Sequence, residues 1–205
     1  MQSGETIAVA GTKTLAEEDA LRAQVYDLLA NLLSKPPPDD ELKTLAGLSG
    51  DDSEMGRAIT ALARVAAGSD AVAVSDEYHA LFVGIGRGEL LPYGSYYLTG
   101  FLHEKPLARL REDMTSFGVK RADSVSEPED HAASVLEVMA GLIDGRFGTA
   151  ASLEQQKEFF DAHIESWMTV FFQDLAGASS SVLYAALAQV GARFLEVEAA
   201  AFTMD

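Results

Sequence analysis

The sequence contains no cysteine, which excludes disulfides, thiolate nucleophiles and thiolate metal sites. It has six prolines, three of them consecutive at Pro36-Pro37-Pro38, and a single tryptophan, Trp167. Basic residues are scarce: 15 lysines and arginines stand against 32 acids, for a net charge of −17. A field of that sign repels nucleic acid and anionic membrane surfaces, and it either attracts basic partners or serves solubility alone. Neither a nucleic-acid nor a membrane partner is expected. No apolar run approaches the roughly 18 residues of a membrane span. Residues 1–12 lack a basic stretch followed by an apolar core, so no secretion signal is expected there and the chain reads as cytoplasmic.

What is present is mostly helical periodicity. Thr14 and Glu17 read as a capping box opening a helix with Leu21, Val25, Leu28, Leu29 and Leu32 on one stripe, which the proline triplet stops. Shorter helices follow over residues 39–47, 53–67 and 70–83. From 83 to 96 the pattern fails. Gly84, Gly86 and Gly88 alternate there, and the tyrosines of 93–97 read as loop residues. Helix returns at about 104–117, with Leu107, Leu110, Met114 and Phe117 inward. Residues 120–126 are polar and read as a hinge.

Ser126 and Glu129 suggest a second capping box before Ala132, Val135, Leu136, Met139, Leu142 and Ile143, with Gly145 as the stop. Ser152 and Gln155 open a helix carrying Phe160, Ile164, Trp167, Val170 and Phe171. The last helix, about 180–202, carries Leu183, Leu187, Val190, Phe194 and Val197. No alternating strand pattern or fixed-period repeat appears. The expected fold is all-α: one helical-bundle domain over 14–205, of about nine helices in two lobes, behind a flexible tail at 1–13.

The run Glu127-Pro128-Glu129-Asp130-His131 concentrates three carboxylates and an imidazole at a helix start. Acids there complement the helix dipole, at roughly 0.3–1 kcal/mol each. Capping therefore accounts for Glu127, Glu129 and Asp130, but not for His131, so capping and a binding site both stay open. The charge is uneven as well. Residues 122–174 hold 11 acids against 2 bases, while residues 84–121 hold 4 against 6. The glycine run at 84–88 follows a helix and lacks a Gly-Lys-Ser/Thr end, so it reads as a loop rather than a phosphate cradle. The four histidines are isolated from one another, and no serine elbow is present, so no metal and no catalytic residue is assigned.

Three segments carry a resemblance. Tyr78-His79-Ala80-Leu81-Phe82-Val83-Gly84, Leu91-Pro92-Tyr93-Gly94-Ser95-Tyr96-Tyr97 and Glu127-Pro128-Glu129-Asp130-His131 are similar to the TorD/DmsD/NarJ family of redox-enzyme maturation chaperones. The likeness runs on through His163, Trp167 and Phe171. It implies an all-helical, non-enzymatic protein that binds the twin-arginine signal peptide of a molybdenum- or tungsten-cofactor oxidoreductase and assists maturation before export. It also implies a monomer, or a dimer that exchanges halves about the 120–126 hinge. Residues 98–102 and 104–110 resemble the subgroup associated with formate dehydrogenases.

On that reading, Glu127, Glu129 and Asp130 pair with the guanidinium groups, since arginine binds carboxylate bidentately. His131 orients one of these acids or tunes release. Tyr93, Tyr96, Leu98, His163, Trp167 and Phe171 line an apolar groove. No cofactor is implied. Two other readings remain: an acidic adaptor for a basic protein, and a Glu/Asp/His acid–base hydrolase.

Overall fold

The computed structural model describes residues 16–122 and 127–204. Among these residues the regular structure is helical, with one isolated antiparallel bridge between Tyr93 and His131 and no strand. The described residues form ten α-helices and two π turns. The first is α1 (Glu17–Ser34), stopped by Pro36, Pro37 and Pro38 as expected. Thr14 lies outside the described residues, and Ala16, at the N-cap of α1, makes no side-chain cap.

Of the expected stripe on α1, Leu29 and Leu32 are buried and Val25 and Leu28 pack against the core, while Leu21 is 57% exposed and Ala23, Tyr26, Ala30 and Leu33 join the buried face. The reason is its partner. α1 packs chiefly along α7 (Ala132–Asp144), and the Tyr26 hydroxyl donates to buried Glu198 at 2.9 Å.

Three shorter helices follow: α2 (Asp39–Ala46) packs on α3 (Glu54–Ala67), and α4 (Ala71–Tyr78) runs into a π turn, His79–Val83. Local caps set two of them. Ser53 accepts from the Gly56 amide, and Asp70 accepts from Val72 and Ala73. The turn exits at Gly84 with φ +61°, where a Cβ would strike the Arg87 carbonyl; only glycine fits.

α5 (Gly94–Thr99) was not expected, because a six-residue helix has too few positions to show a period. It leads to α6 (Lys105–Ser116), which buries Leu107, Leu110 and Met114. Of the expected hinge, residues 123–126 lie outside the described residues, and so does Ser126 of the second capping box. Glu129 caps no helix, its carboxylate being bound to arginines.

The capping box of Ser152 and Gln155 forms as read and opens α8 (Leu153–Phe160). Continuous helix was expected from there to Phe171. Instead a π turn, Asp161–Glu165, and a break at Trp167 (φ −150°) separate α8 from α9 (Met168–Gly177). Phe160, Ile164, Trp167 and Phe171 are nevertheless all buried. Val170 and Val197, carried by the same stretch and by the last helix, are 50% and 54% exposed.

α10 (Leu183–Ala201) packs against α3 and α9, and Glu77 accepts from the Val182, Leu183 and Tyr184 amides at its start. A buried charge cluster joins three helices. Arg22 pairs bidentately with Glu198 at 2.8 and 2.9 Å and also reaches Gln156. Such a pair is costly to break, because a lone buried charge would remain.

Candidate peptide-binding clefts

The segment before α5 is laced to the segment before α7. The Ala132 amide donates to Pro92 O at 2.8 Å, and the Gly94 amide donates to Asp130 O at 2.9 Å. The Asp130 side chain completes the junction, its Oδ2 accepting from the Ser95 amide at 2.8 Å. α5 is thus capped by a residue 35 positions away, which supplies the acceptor that its own sequence lacks. Residues 92–95 and 130–132 form one rigid ridge.

The acids of the 127–131 run diverge from this ridge. Glu127 is exposed and accepts a hydrogen bond from the Tyr93 hydroxyl. Glu129 accepts from Arg111 at 2.7 and 2.9 Å and lies 3.5 Å from Arg121. Partial burial works against its ionisation, but those guanidiniums outweigh it and hold the carboxyl below its usual range. Asp130 is 3% exposed, and its Oδ1 has no partner.

His131 is the N-cap of α7, with Nδ1 accepting from the Ala133 amide at 3.1 Å. That bond fixes the neutral tautomer with the proton on Nε2. Burial pushes the imidazole pKa down to about 4, against the opposing pull of Glu127 and Asp130. The Tyr93 ring stands edge-on to it, centroids 5.2 Å apart. Burial and the neighbouring Glu127 both raise the Tyr93 pKa.

Two clefts flank the ridge. One, of about 670 Å³, takes in Tyr93, Glu127 and His131, and adds Asp27, Glu137 and Arg146 from α1, α7 and the loop after α7. Arg146 is bound to Asp27 and Asp144. Glu137 is exposed and makes no hydrogen bond or ion pair among the described residues.

The other cleft, of about 400 Å³, lies between α5, α6 and the second π turn, and takes in Leu98, Pro106, Leu110, Asp130, His163 and Trp167. His163 is buried, with Nε2 2.7 Å from Asp113, while its carbonyl accepts from Trp167 Nε1 at 2.7 Å. Burial lowers the His163 pKa, an effect the Asp113 hydrogen bond only partly offsets.

The groove drawn from sequence is therefore divided. Tyr93, Glu127 and His131 face one cleft, and Leu98, His163, Trp167 and Asp130 face the other. Tyr96 turns to Arg87, whose guanidinium sits 5.8 Å from its ring centroid. Phe171 is fully buried in the core and backs Trp167 rather than lining a surface. Sequence reasoning missed Glu137 and the pair Lys105 and Arg109. The last two are one turn apart on α6, on the face away from buried Leu107. Among the described residues no group of three or more His, Asp or Glu side chains comes together to hold a metal, and no single helix is long and apolar enough to cross a membrane.

Residues 49–173 match the family model described as nitrate reductase delta subunit. The chaperone protein TorD of Vibrio cholerae is 29% identical over 195 residues, covering 85% of this chain and 89% of the relative. The chaperone protein TorD of Vibrio parahaemolyticus is 26% identical over 204 residues, covering 87% and 93%. A crystal structure from Archaeoglobus fulgidus, of a candidate redox enzyme maturation protein, has the same fold. Its TM-score is 0.55 at 22% identity, covering 94% of this chain and 99% of that one. The relatives are named chaperones rather than catalysts, which removes the acid–base hydrolase reading. With its all-helical fold and its matched span, the chain belongs to the TorD/NarJ family of redox-enzyme maturation chaperones, the family described as nitrate reductase delta subunit.

Proposed function

We infer that this protein is a maturation chaperone that binds the twin-arginine signal peptide of a molybdenum- or tungsten-cofactor oxidoreductase and holds it until the client has folded. One observation carries the reading. A cleft with exposed carboxylates, Glu127 and Glu137, and a cleft with apolar walls around Trp167 meet across adjacent residues, Tyr93–Gly94 on one segment of the ridge and Asp130–His131 on the other. A peptide with two guanidiniums followed by an apolar stretch has the same order of chemistry.

In this arrangement Glu127 and Glu137 take the arginines, since their oxygens have open acceptor sites. Glu129 and Asp130 hold the frame: one is occupied by Arg111 and Arg121, the other by the Ser95 amide. Neutral His131 offers Nε2–H as a donor to a peptide carbonyl. Leu98, His163 and Trp167 receive the apolar stretch. A monomer is sufficient for this geometry.

Isothermal titration with a synthetic signal peptide tests the reading. The peptide with its arginine pair should bind one to one, and replacing the pair by alanines should abolish measurable binding. Equal binding of both peptides contradicts it. Tight binding of any cationic peptide, irrespective of the pair, would instead favour an acidic adaptor.

A further inference from the structure

The Trp167 cleft has three features that recognition of an arginine pair does not use. The first is a missing side chain. A Cβ at Gly94 would lie 3.1 Å from Trp167 Nε1 and 3.2 Å from its Cε2, tighter than ordinary contact. Glycine therefore lets the backbone pack directly on the indole, which is 3% exposed, and the two together line the floor of the cleft. The second is Asp130, 3% exposed, whose Oδ1 has no hydrogen-bond partner. A buried carboxylate oxygen without a donor bears a desolvation cost that an incoming N–H relieves.

The third is the rim, where Lys105 and Arg109 stand. Among the described residues Lys105, which is exposed, makes no hydrogen bond or ion pair. Arg109 is 69% exposed and comes no nearer to an acid than 3.9 Å, at Asp113. Both line this cleft and belong to the segment 84–121, where bases outnumber acids by 6 to 4; Lys35 and Arg146 line the Glu127 cleft, but there they stand among Asp27, Glu127 and Glu137. Lys105 and Arg109 disfavour a cation at this end and favour a neutral or acidic group.

We propose that this cleft selects among signal peptides: it takes a large apolar side chain over the Gly94–Trp167 floor, with a backbone N–H toward Asp130, and requires a neutral or acidic residue directly behind. The proposal rests on the peptide-binding reading above and adds a rule of selection to it. It also fixes the direction of the peptide, cations in the Glu127 cleft and the uncharged or acidic end between Lys105 and Arg109. The cleft, at about 400 Å³, fits a few side chains rather than a whole apolar helix.

Trp167 is the single tryptophan, so its fluorescence reports occupancy of the cleft directly. Four synthetic peptides sharing one arginine pair serve as probes, with leucines or alanines in the apolar stretch and glutamate or lysine directly behind it. Leucine forms should bind about tenfold more tightly than alanine forms. Glutamate forms should bind about threefold more tightly than lysine forms at low salt. Lys105→Glu combined with Arg109→Glu should invert the second preference. Gly94→Val should shrink the first, with circular dichroism as the check that the variant folds. Should Gly94→Val fail to fold, the surface charge swap still decides. Arginine-dependent binding with equal affinity for all four peptides overturns the selection rule alone, as does a glutamate preference that survives the charge swap. Absence of binding by every form overturns the peptide reading and this rule with it.

Discussion

On the His131 side of the ridge the charges face outward; on the Trp167 side the anion is inside and the cations stand at the rim. Glu127 and Glu137 are exposed carboxylates with open acceptor sites, whereas Asp130, only three residues from Glu127, is sealed at 3% exposure against the Ser95 amide. One short run of sequence thus supplies two kinds of acid. The exposed kind is positioned to meet a ligand at little cost to the fold. The sealed kind anchors α5 beside the Trp167 cleft, the cleft proposed to take the apolar part of the peptide. The comparison teaches that a cluster of acids in sequence is not one site, because the backbone at a helix entrance turns successive side chains in different directions.

Substitutions on the two sides should separate stability from binding. The largest effect is expected at Trp167, 3% exposed and packed on Tyr97 and Phe171. Trp167→Ala should lower unfolding free energy by about 3–5 kcal/mol in denaturant titration. Asp130→Ala should follow at about 1–3 kcal/mol, since the Ser95 amide would be left buried and unpaired. Glu127→Gln, on the other side, should change stability by less than about 0.5 kcal/mol while weakening an arginine-pair peptide about fivefold at low salt. If Glu127→Gln destabilises as much as Asp130→Ala, the division between ligand acid and frame acid is lost.

His131 gives the comparison a pH signature. Its pKa falls from an ordinary 6.5 to about 4 on folding. The unfolded chain therefore takes up this proton first, so stability is held above pH 6.5 and lost as pH falls toward 4. The full shift corresponds to a loss on the order of 3 kcal/mol. His131→Asn retains an N-cap acceptor for the Ala133 amide and should flatten this part of the stability profile. Equal slopes for wild type and variant would contradict the buried neutral imidazole. The smallest stability effect is expected at Leu98, 43% exposed. Leu98→Ala should leave the unfolding midpoint nearly unchanged and lower only peptide affinity.

Much of the fold was legible because its signals are local. The capping box of Ser152 and Gln155, the proline stop after α1 and the left-handed Gly145 ending α7 at φ +77° each act within one turn. What escaped depends on distance. α5 has no cap of its own and is closed by Asp130 from another segment. On α1 the rest of the expected stripe faces the core, but α7 and Glu198 bring Ala23 and Tyr26 inward and leave Leu21 outside. Phe160, Ile164, Trp167 and Phe171 stand at the spacing of a continuous helix, so the π turn at Asp161–Glu165 and the break at Trp167 leave no trace in the pattern.

Part of the lining of the candidate clefts was legible, but not its arrangement. Glu127, His131, Trp167 and Leu98 were named from sequence. Their separation into two clefts, the occupation of Glu129 by arginines and the withdrawal of Phe171 into the core follow from packing. Glu137 was missed because a lone exposed acid on a helix has no sequence signature until the cleft beside it is formed.

The most direct measurement is the affinity of an arginine-pair signal peptide, and of its lysine-pair counterpart, for the wild-type protein and for Glu127→Lys combined with Glu137→Lys. Wild type should prefer the arginine pair about tenfold, reflecting bidentate pairing, and the double variant should bind neither peptide measurably. Undiminished binding of both peptides to the charge-reversed protein would contradict the account.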